Sequence, residues 1–329
     1  MRPPAPAAHE LGEHPIAVDA VTVERLTKSY GAIQAVRGVS FSVGDGEVVA
    51  ILGPNGAGKT TVVEILEGYR SPDAGSVSVL GLDPRGGGAE LRQRVGIVLQ
   101  ESGIDNYLSA REMLRMHAEY YNKPRPIDEV LELVGLTDKA DARVRTLSGG
   151  QRRRLDVGLG LIGDPELLFL DEPTTGFDPS ARRHAWSVIK GLCSLGKTVL
   201  LTTHYMDEAQ HLADRVLVVS AGQIVAEGAP ESIGGRATAA AKIRFRLPAD
   251  ATLTDLPVPA ALEEDGGVSI ESTEPTSLLH VLTSWAVGRG GVLDGLTVER
   301  PTLEDVYLQL TSDSTATEDN ADAWHRSEP

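Results

Sequence analysis

Runs of apolar residues predict the strands of this chain. The uninterrupted runs EVVAILG (47–53) and ELLFLDE (166–172) predict buried strands of a parallel sheet. VGIVLQ (95–100) and TVLLTTH (198–204) predict two further strands. An antiparallel part is predicted from residues 20–31, 37–53 and 74–81, and DRVLVVSAGQIVAEG (214–228) predicts a hairpin that turns at Ala221 and Gly222.

Apolar residues spaced three and four positions apart predict the helices. Residues 103–146 have no strand pattern, and SAREMLRMHAEYYN (109–122) and IDEVLELVGL (127–136) within them have the helical spacing. One more helix follows Lys59, and DPSARRHAWSVIKGLCSLG (178–196) predicts a helix that ends at glycine. This alternation of strands and helices predicts an α/β fold with a mixed sheet core, an antiparallel β subdomain and a helical subdomain.

Changes of pattern along the chain predict four parts. Residues 1–19 are expected to be disordered, and residues 20–235 form the large α/β unit, with the helical subdomain at about 101–165. Residues 240–311 read as a small α+β domain, because three strand patterns alternate with two helical ones. The polar and acidic end, residues 312–329, is expected to be disordered.

Composition narrows the classes of partner and compartment. The chain has 329 residues and a net charge of −16, which argues against a nucleic-acid partner, although the run Arg152–Arg154 leaves room for a local basic patch. The single cysteine, Cys193, fits a reducing compartment and reads as a small buried apolar residue. Because neither a membrane span nor a signal sequence is evident, we expect a cytoplasmic chain whose membrane role comes through a partner.

The stretch GPNGAGKT, Gly53–Thr60, predicts a phosphate site. It matches the pattern G-x-x-x-x-G-K-[ST] without a gap, and it lies between an apolar strand and a helix. Glycines allow such a loop to point several N–H groups at one phosphate, Lys59 adds a point charge, and the Thr60 hydroxyl is a Mg²⁺ ligand. The alternative, a flexible glycine loop before a helix, does not explain the strand and helix on either side.

Acidic side chains at the end of a buried strand complete the predicted site. Asp171 at the tip of LLFLDE is placed to meet Mg²⁺, and Glu172 is placed to orient or deprotonate an attacking water. The alternative is a pair of charges at a helix N-terminus, but Pro173 and two threonines follow instead. His204 ends the next apolar strand and is of the right type to contact a γ-phosphate, or it is a capped surface histidine.

TLSGGQRRRLDVG (146–158) predicts a second glycine-rich helix start. Ser148 stands three residues before Gln151, which is the spacing of a capping box, and such a helix start attracts anions. Here the chain resembles the ATP-binding cassette ATPases, the motor subunits of ABC transporters, over about Val21–Gly228. The motifs that carry the resemblance occur in the order of that family: GPNGAGKT, Gln100, LSGGQ at 147–151, LLFLDE, TTGFDP at 174–179, and His204.

The resemblance implies a role for each motif residue. It places Glu172, His204 and Gln100 in catalysis, and Thr60, Gln100 and Asp171 at Mg²⁺. Tyr30 stands where the family has an aromatic that stacks on adenine. The implied nucleotide-binding residues are Tyr30, Gly53, Pro54, Asn55, Gly56, Ala57, Gly58, Lys59, Thr60 and Thr61, with Ser148, Gly149, Gly150, Gln151 and Asp178. Thr175 and Phe177 depart from the usual Ser-Gly-Leu-Asp, but Asp178 is kept.

The resemblance also explains the two glycine-rich starts. In this family two copies pair head to tail, and each ATP lies between the Gly53–Thr60 loop of one copy and the LSGGQ start of the other. One chain carries one of each, so we expect a homodimer with two competent ATP sites.

Longer stretches are similar to daunorubicin-resistance ATP-binding proteins, which drive export through a separate permease of the ABC-2 type. The chain is therefore expected to power efflux of a drug or other hydrophobic molecule from the cytoplasmic face of the membrane. The helical stretch 103–146, above all ESGIDNYLSARE (101–112), is the expected permease contact. An importer motor and a soluble, non-transport ATPase stay open as alternatives.

Overall fold

The computed structural model describes residues 19–99, 103–236, 238–248, 251–263 and 265–308. The predicted disordered ends and Gln100 lie outside these residues, apart from Asp19. A three-stranded antiparallel sheet contains β1 (Val21–Tyr30), β2 (Ile33–Val43) and β4 (Ala74–Val79) in the order β2-β1-β4. The predicted antiparallel part is confirmed in these strands, whereas β3 (Val48–Leu52) belongs to a second sheet.

The second sheet has six strands and forms the centre of the large unit. Besides β3 it contains β5 (Val95–Val98), β6 (Leu167–Asp171), β7 (Thr198–Thr203), β8 (Arg215–Ser220) and β9 (Gln223–Gly228). Their order is β5-β6-β7-β3-β8-β9, and only the β8–β9 pair is antiparallel. Asp171 pairs with Thr202, and Leu52 with Thr203, so the carboxyl ends of β6, β7 and β3 meet at one edge.

Among the described residues of this unit, seven helices cover the six-stranded sheet and build the helical region. They are α1 (Lys59–Leu66), α2 (Gly88–Arg94), α3 (Ala110–Ala118), α4 (Ile127–Leu133), α5 (Gly149–Leu161), α6 (Pro179–Ser194) and α7 (Met206–Leu212). Residues 103–146, all of them described, contain α3 and α4, and their one β contact is an isolated bridge between Ser109 and Arg143. The prediction of helices and no strand in this stretch is confirmed. Helix α2 was not predicted.

Alternate residues of the central strands enter two cores. Leu168 and Leu170 of β6 join the core formed with α3–α7, whereas Leu167 and Phe169 join the core shared with β1, β2 and α1. Both faces of the sheet are therefore buried, which is why its strands read as continuous apolar runs. Cys193, predicted to be buried, is half-buried and packs against the first of these cores.

Helix α5 lies unusually close to β5. A Cβ on Gly96 would stand 2.1 Å from the carbonyl oxygen of Gly160, and a Cβ on Gly160 would stand 2.8 Å from Val98 Cγ2. Glycine at both positions removes this clash. Helix α5, which begins at the second glycine-rich start, thus packs directly against β5, the strand that ends just before Leu99.

A third sheet follows the large unit. It contains β10 (Ala241–Arg246), β11 (Ala261–Leu262), β12 (Val268–Ser272) and β13 (Asp294–Glu299) in the antiparallel order β11-β12-β10-β13, with α8 (Pro275–Gly288) packed on it. The short β11 was not predicted. Residues 303–308 are helical, and Leu303 is buried in the first core of the large unit, not in the core of the third sheet.

Candidate functional site

The loop Gly53–Gly58 has a backbone that requires glycine. Gly58 precedes α1 with a φ of 100°, and a Cβ there would stand 2.2 Å from the carbonyl oxygen of Ala35. Gly56 also has a positive φ, 83°. Ala57 is buried, whereas Pro54, Asn55, Gly56 and Thr60 are exposed and Thr61 is half-buried. The first N–H groups of α1, which begins directly after this loop, have no partner within the helix and are free to bind an anion.

Lys59 is held inside this loop by its own backbone. Its Nζ donates to the carbonyl oxygens of Gly53, at 2.8 Å, and Pro54, at 3.1 Å, and the residue is 5 % exposed. Burial lowers the pKa of the Lys59 ammonium, and the carboxylates of Glu172 and Asp171 act against that shift. A buried cation that has backbone carbonyls as its nearest partners is well placed to gain from an anionic phosphate.

Asp171 ends β6 beside β7. It is 8 % exposed, and the Thr202 hydroxyl, itself fully buried, donates to Asp171 Oδ1. The amide of Glu172 donates to the carbonyl and hydroxyl oxygens of Thr202, both at 3.1 Å. Thr202 therefore fixes both the side chain of one acidic residue and the backbone of the next.

Glu172 stands at the centre of a cluster of charged and polar side chains, which it forms with Lys59, Asp171 and His204 and which is called the cluster below. Its Oε1 is 3.7 Å from Lys59 Nζ and 3.1 Å from His204 Nδ1, and its Oε2 accepts from the Thr175 hydroxyl at 3.1 Å. Its backbone has a φ of 45°, in the left-handed region that costs a non-glycine residue about 1–3 kcal/mol. Strain of this size persists where the surrounding contacts hold it, and here it lies at the predicted catalytic carboxylate.

Tyr30 ends β1 on the surface, as an adenine platform requires. It is 40 % exposed, and the Arg70 guanidinium and the Lys28 ammonium lie 5.4 Å and 5.8 Å from its ring centroid. Arg70 is in turn held by Glu64. The ring is thus steadied by two cations while part of it stays accessible.

The second glycine-rich start has the predicted cap. Ser148 Oγ accepts from the Gln151 amide at 3.2 Å, and Gln151 Oε1 accepts from the Ser148 amide at 2.9 Å. Ser148 and Gly149 are exposed, and Gly150 and Gln151 are half-buried. Ser148, Gly150 and Gln151 line a polar cavity of about 480 Å³ together with residues of α6, and no residue of the Gly53–Thr60 loop lines it.

Asp178 caps α6 instead of reaching the cluster. Its Oδ1 accepts from the amides of Ser180, at 2.8 Å, and Ala181, at 2.9 Å. Within one chain the structure brings together Lys59, Asp171, Glu172 and His204. The LSGGQ start lies apart from them, at the cavity of about 480 Å³. Gln100 lies outside the described residues.

Two buried charged residues, Arg153 and Glu208, and the half-buried Glu67 were not predicted. Arg153 is buried and binds backbone carbonyls at the end of β6, whereas Arg152 is exposed and Arg154 is half-buried, so Arg153 takes no part in a basic surface patch. Glu208 is fully buried and accepts from Thr174, at 2.7 Å, and Trp186, at 3.2 Å, and burial raises its pKa. Glu67 lies near Asp171, and burial first, then Asp171 and Glu64, raise its pKa to about 8.

A signal for two of these residues was present in the sequence. Arg153 is four and eight positions before Val157 and Leu161, and Glu208 is four before Leu212. Residues at that spacing share a helix face, and these apolar partners are buried. The helical period therefore places both charges on buried faces.

Comparison with known proteins identifies the family. The model of the family described as ABC transporter matches residues 36–175, and that of the ABC transporter domain-containing protein-like, C-terminal domain matches residues 241–302. A Nod factor export ATP-binding protein I of Burkholderia orbicola is 38% identical over 310 residues, which is 90% of this chain and 98% of the relative. The chain belongs to the ABC transporter ATP-binding proteins. A daunorubicin resistance ATP-binding protein of Streptomyces coeruleorubidus is 38% identical over 307 residues, 89% of this ABC protein and 96% of the relative.

Solved structures support the same fold for this ABC protein. The ADP conformation of an ATP-binding cassette has a TM-score of 0.59 and 27% identity, and covers 65% of this chain and 92% of its own. A dimeric post-hydrolysis cassette bound to ADP and Pi has a TM-score of 0.57 and 25% identity, and covers 64% and 98%. This ABC protein is therefore an ATPase that binds nucleotide, of a class whose subunits act with a membrane permease. No helix among the described residues has the length and apolar character of a membrane span.

The residues present fit Mg²⁺ only together with nucleotide. The described part of the chain has no group of three or more His, Cys, Asp or Glu that could hold a metal ion. Mg²⁺ is usually bound through one or two carboxylates plus substrate phosphates. Asp171, oriented by Thr202, and the exposed Thr60 supply that small set beside the phosphate loop.

Proposed function

We propose that this chain hydrolyses ATP to drive export of a drug or other hydrophobic molecule through a separate membrane permease of the ABC-2 type. The observation that carries the proposal is the contact of Glu172 with both Lys59 and His204 beside Asp171. The relatives named for export of Nod factor and for daunorubicin resistance support the direction of transport.

In this proposal each side chain has one task. Lys59 and the N–H groups of residues 55–61 hold the phosphates, with Tyr30 against adenine. Thr60, Asp171 and Gln100 hold Mg²⁺, which neutralises charge that develops on the transferred phosphoryl group. Glu172 orients the attacking water and accepts its proton, and His204 contacts the γ-phosphate while it holds Glu172 Oε1.

The two halves of the nucleotide site are proposed to come from two copies. Ser148, Gly149, Gly150 and Gln151 lie at a cavity of their own, so they close a site only on a partner's nucleotide. The dimer places two composite sites between identical chains. Asp178, as the cap of α6 next to this cavity, fixes the helix that borders it.

The permease is proposed to dock beside the helical region. A cavity of about 710 Å³ is lined by residues of α2, α3 and the segment after β5, including Leu99, Gly103, Ile104 and Met113. In the sequence Gln100 lies between Leu99 and Gly103, so this proposal places the permease beside the segment that carries Gln100. Docking there holds the chain at the cytoplasmic face of the membrane. Residues 103–112 are the described part of this contact.

Substitution of Glu172 tests the proposal. Glu172→Gln keeps size and hydrogen bonding but removes the base, so we expect ATP binding to persist, turnover to fall at least about a hundredfold and a dimer to accumulate with MgATP. Export should be lost in cells that contain the permease. Glu166→Gln is the matched control, because Glu166 lies before β6 in an exposed pair with Arg94. Wild-type turnover by Glu172→Gln would contradict the catalytic assignment.

A further inference from the structure

Arg153 joins the helix of the second glycine-rich start to the end of β6. It lies five residues after Ser148 in α5 and is 8 % exposed. Its Nε donates to the carbonyl oxygen of Pro173 at 3.0 Å, and its Nη2 to those of Asp171, at 2.9 Å, and Glu172, at 3.4 Å. A single guanidinium thus binds three successive peptide units around the predicted base.

The other side of the same guanidinium reaches the neighbouring strand. Arg153 Nη1 donates to the carbonyl oxygen of Leu99, which follows β5 and directly precedes Gln100 in the chain. The planar fork of arginine suits this task, because its five N–H donors point in fixed directions. The ends of β5 and β6, each of which leads into a predicted site residue, are therefore tied to one side chain.

These contacts bear on the strained backbone of Glu172. The amide of this residue is held by Thr202, and its carbonyl and that of Asp171 are held by Arg153. A left-handed conformation at a non-glycine residue needs such support from both sides. Arg153 therefore holds the backbone that carries the Glu172 carboxylate, which contacts Lys59 and His204.

The electrostatic cost of placing Arg153 here is considerable. Burial lowers the pKa of its guanidinium, while Asp156, Asp171 and Glu208 oppose that shift. Asp156 Oδ2 lies 3.9 Å from Arg153 Nη1, too far for a hydrogen bond. The carbonyls of the strand ends are thus its main hydrogen-bond partners, and a plain apolar residue at this position would donate no hydrogen bond to them.

We propose that Arg153 is a positioning residue. Through its hydrogen bonds, the position of helix α5 determines the orientation of the Glu172 carboxylate and the position of Leu99, which precedes Gln100, in the same chain. The inference rests on the proposed function, because α5 carries the Ser148 end that closes a partner's nucleotide site. When one copy places its Ser148 against nucleotide on the partner's Gly53–Thr60 loop, its own helix α5 is held in place. Through Arg153 this contact then affects the orientation of Glu172 in the copy that provides Ser148.

Mixed dimers separate this role from a simple structural one. Two differently tagged copies are combined, one of them with Glu172→Gln, so that only the other copy hydrolyses ATP. Arg153→Gln is then placed either on the hydrolysing copy, beside its active Glu172, or on the inactive copy, whose Ser148 closes the active site. Arg152→Gln is the control, because Arg152 is exposed on the same helix and contacts the Arg145 carbonyl.

The expected result depends on the copy that carries the change. On the hydrolysing copy, Arg153→Gln should lower kcat about tenfold or more with KM for ATP within about twofold, because a misaimed base slows chemistry more than it weakens binding. On the inactive copy, and for Arg152→Gln on either copy, kcat should change less than about threefold. Equal losses on both copies, or no loss on either, would overturn the inference.

The folding of each variant and the proposed function are checked by separate measurements. Each variant is unfolded thermally, and Arg153→Lys, which keeps the charge but not the fork, should give the same dependence on copy with a smaller loss. If Arg153→Gln does not fold, Arg153→Lys decides alone by the same criterion. A dimer with Glu172→Gln on both copies that turned over at the wild-type rate would refute the proposed function before any change at Arg153.

Discussion

At the scale of single residues, the site depends on buried hydroxyl groups as much as on charges. Thr202 has no exposed surface, yet its hydroxyl contacts the side chain of Asp171 and the amide of Glu172. The motif residues carry the charges, and this threonine on the neighbouring strand orients them. Its role follows from the register, because Thr202 is the β7 residue opposite Asp171.

Replacing Thr202 by valine tests this orientation. Thr202→Val keeps the shape of the side chain but removes the donor to Asp171 Oδ1. Loss of a residue that hydrogen-bonds to a metal-binding side chain typically lowers metal affinity ten- to a hundredfold. We therefore expect about ten times more Mg²⁺ to be needed for half-maximal ATPase activity, measured at fixed ATP.

A matched control lies on the same strand. Thr198 starts β7, at the opposite end of the strand from the acidic pair Asp171 and Glu172. It is 3 % exposed, and its hydroxyl accepts from the Gly46 amide at 2.9 Å. Thr198→Val should cost about 1 kcal/mol of stability and leave the Mg²⁺ requirement unchanged. Equal Mg²⁺ curves for both variants would refute the role of Thr202.

At the scale of elements, the sequence predicted best where a local rule suffices. The hairpin turn at Ala221 and Gly222 has φ values of 46° and 79°, as a two-residue turn between β8 and β9 requires. The capping box at Ser148 and Gln151 is likewise present. Each of these signals needs only neighbouring residues, so a linear pattern contains it completely.

Elements that depend on distant contacts were missed. Helix α2 begins at Gly88, after two further glycines that read as a loop, and it is stabilised by burial of Leu91. Strand β11 has two residues and exists only through its pairing with β12. Arg153 was read as part of a surface run, because its carbonyl partners are 18 or more residues away in sequence.

The helical segment 303–308 is a further element whose place depends on distant contacts, and it leads to a prediction about stability. Its pattern was assigned to the small C-terminal unit, but Leu303 is 1 % exposed in the first core and Arg236 Nε donates to the Pro301 carbonyl at 2.9 Å. Leu303→Ala should lower the free energy of unfolding by about 2–4 kcal/mol, measured by denaturant titration. A Leu308→Ala variant, at a position 56 % exposed, should change it by less than about 0.5 kcal/mol. Equal effects would show that the segment does not stabilise the large unit.

At the scale of the whole molecule, charge opposes the pairing that the proposed function needs. The chain carries 47 acidic and 31 basic Lys and Arg residues, so two copies repel each other at long range. The proposed contacts around nucleotide act at short range, where salt screens them less. Association of the two copies should therefore respond to salt in the opposite direction from most contacts between charged partners.

We expect the Glu172→Gln chain with MgATP to dimerise several-fold more tightly at about 0.1 M salt than at about 0.01 M, because the Debye length falls from about 30 Å to about 10 Å. Sedimentation equilibrium at both salt concentrations measures the dissociation constant. A chain that ends at residue 312 lacks five acidic residues and one arginine, so its dimer should be tighter at low salt and gain less from added salt. A dimer that weakened as salt rose would mean that attractive ion pairs across the interface outweigh the net charge, and the repulsion argument would then fail even if the composite site is correct.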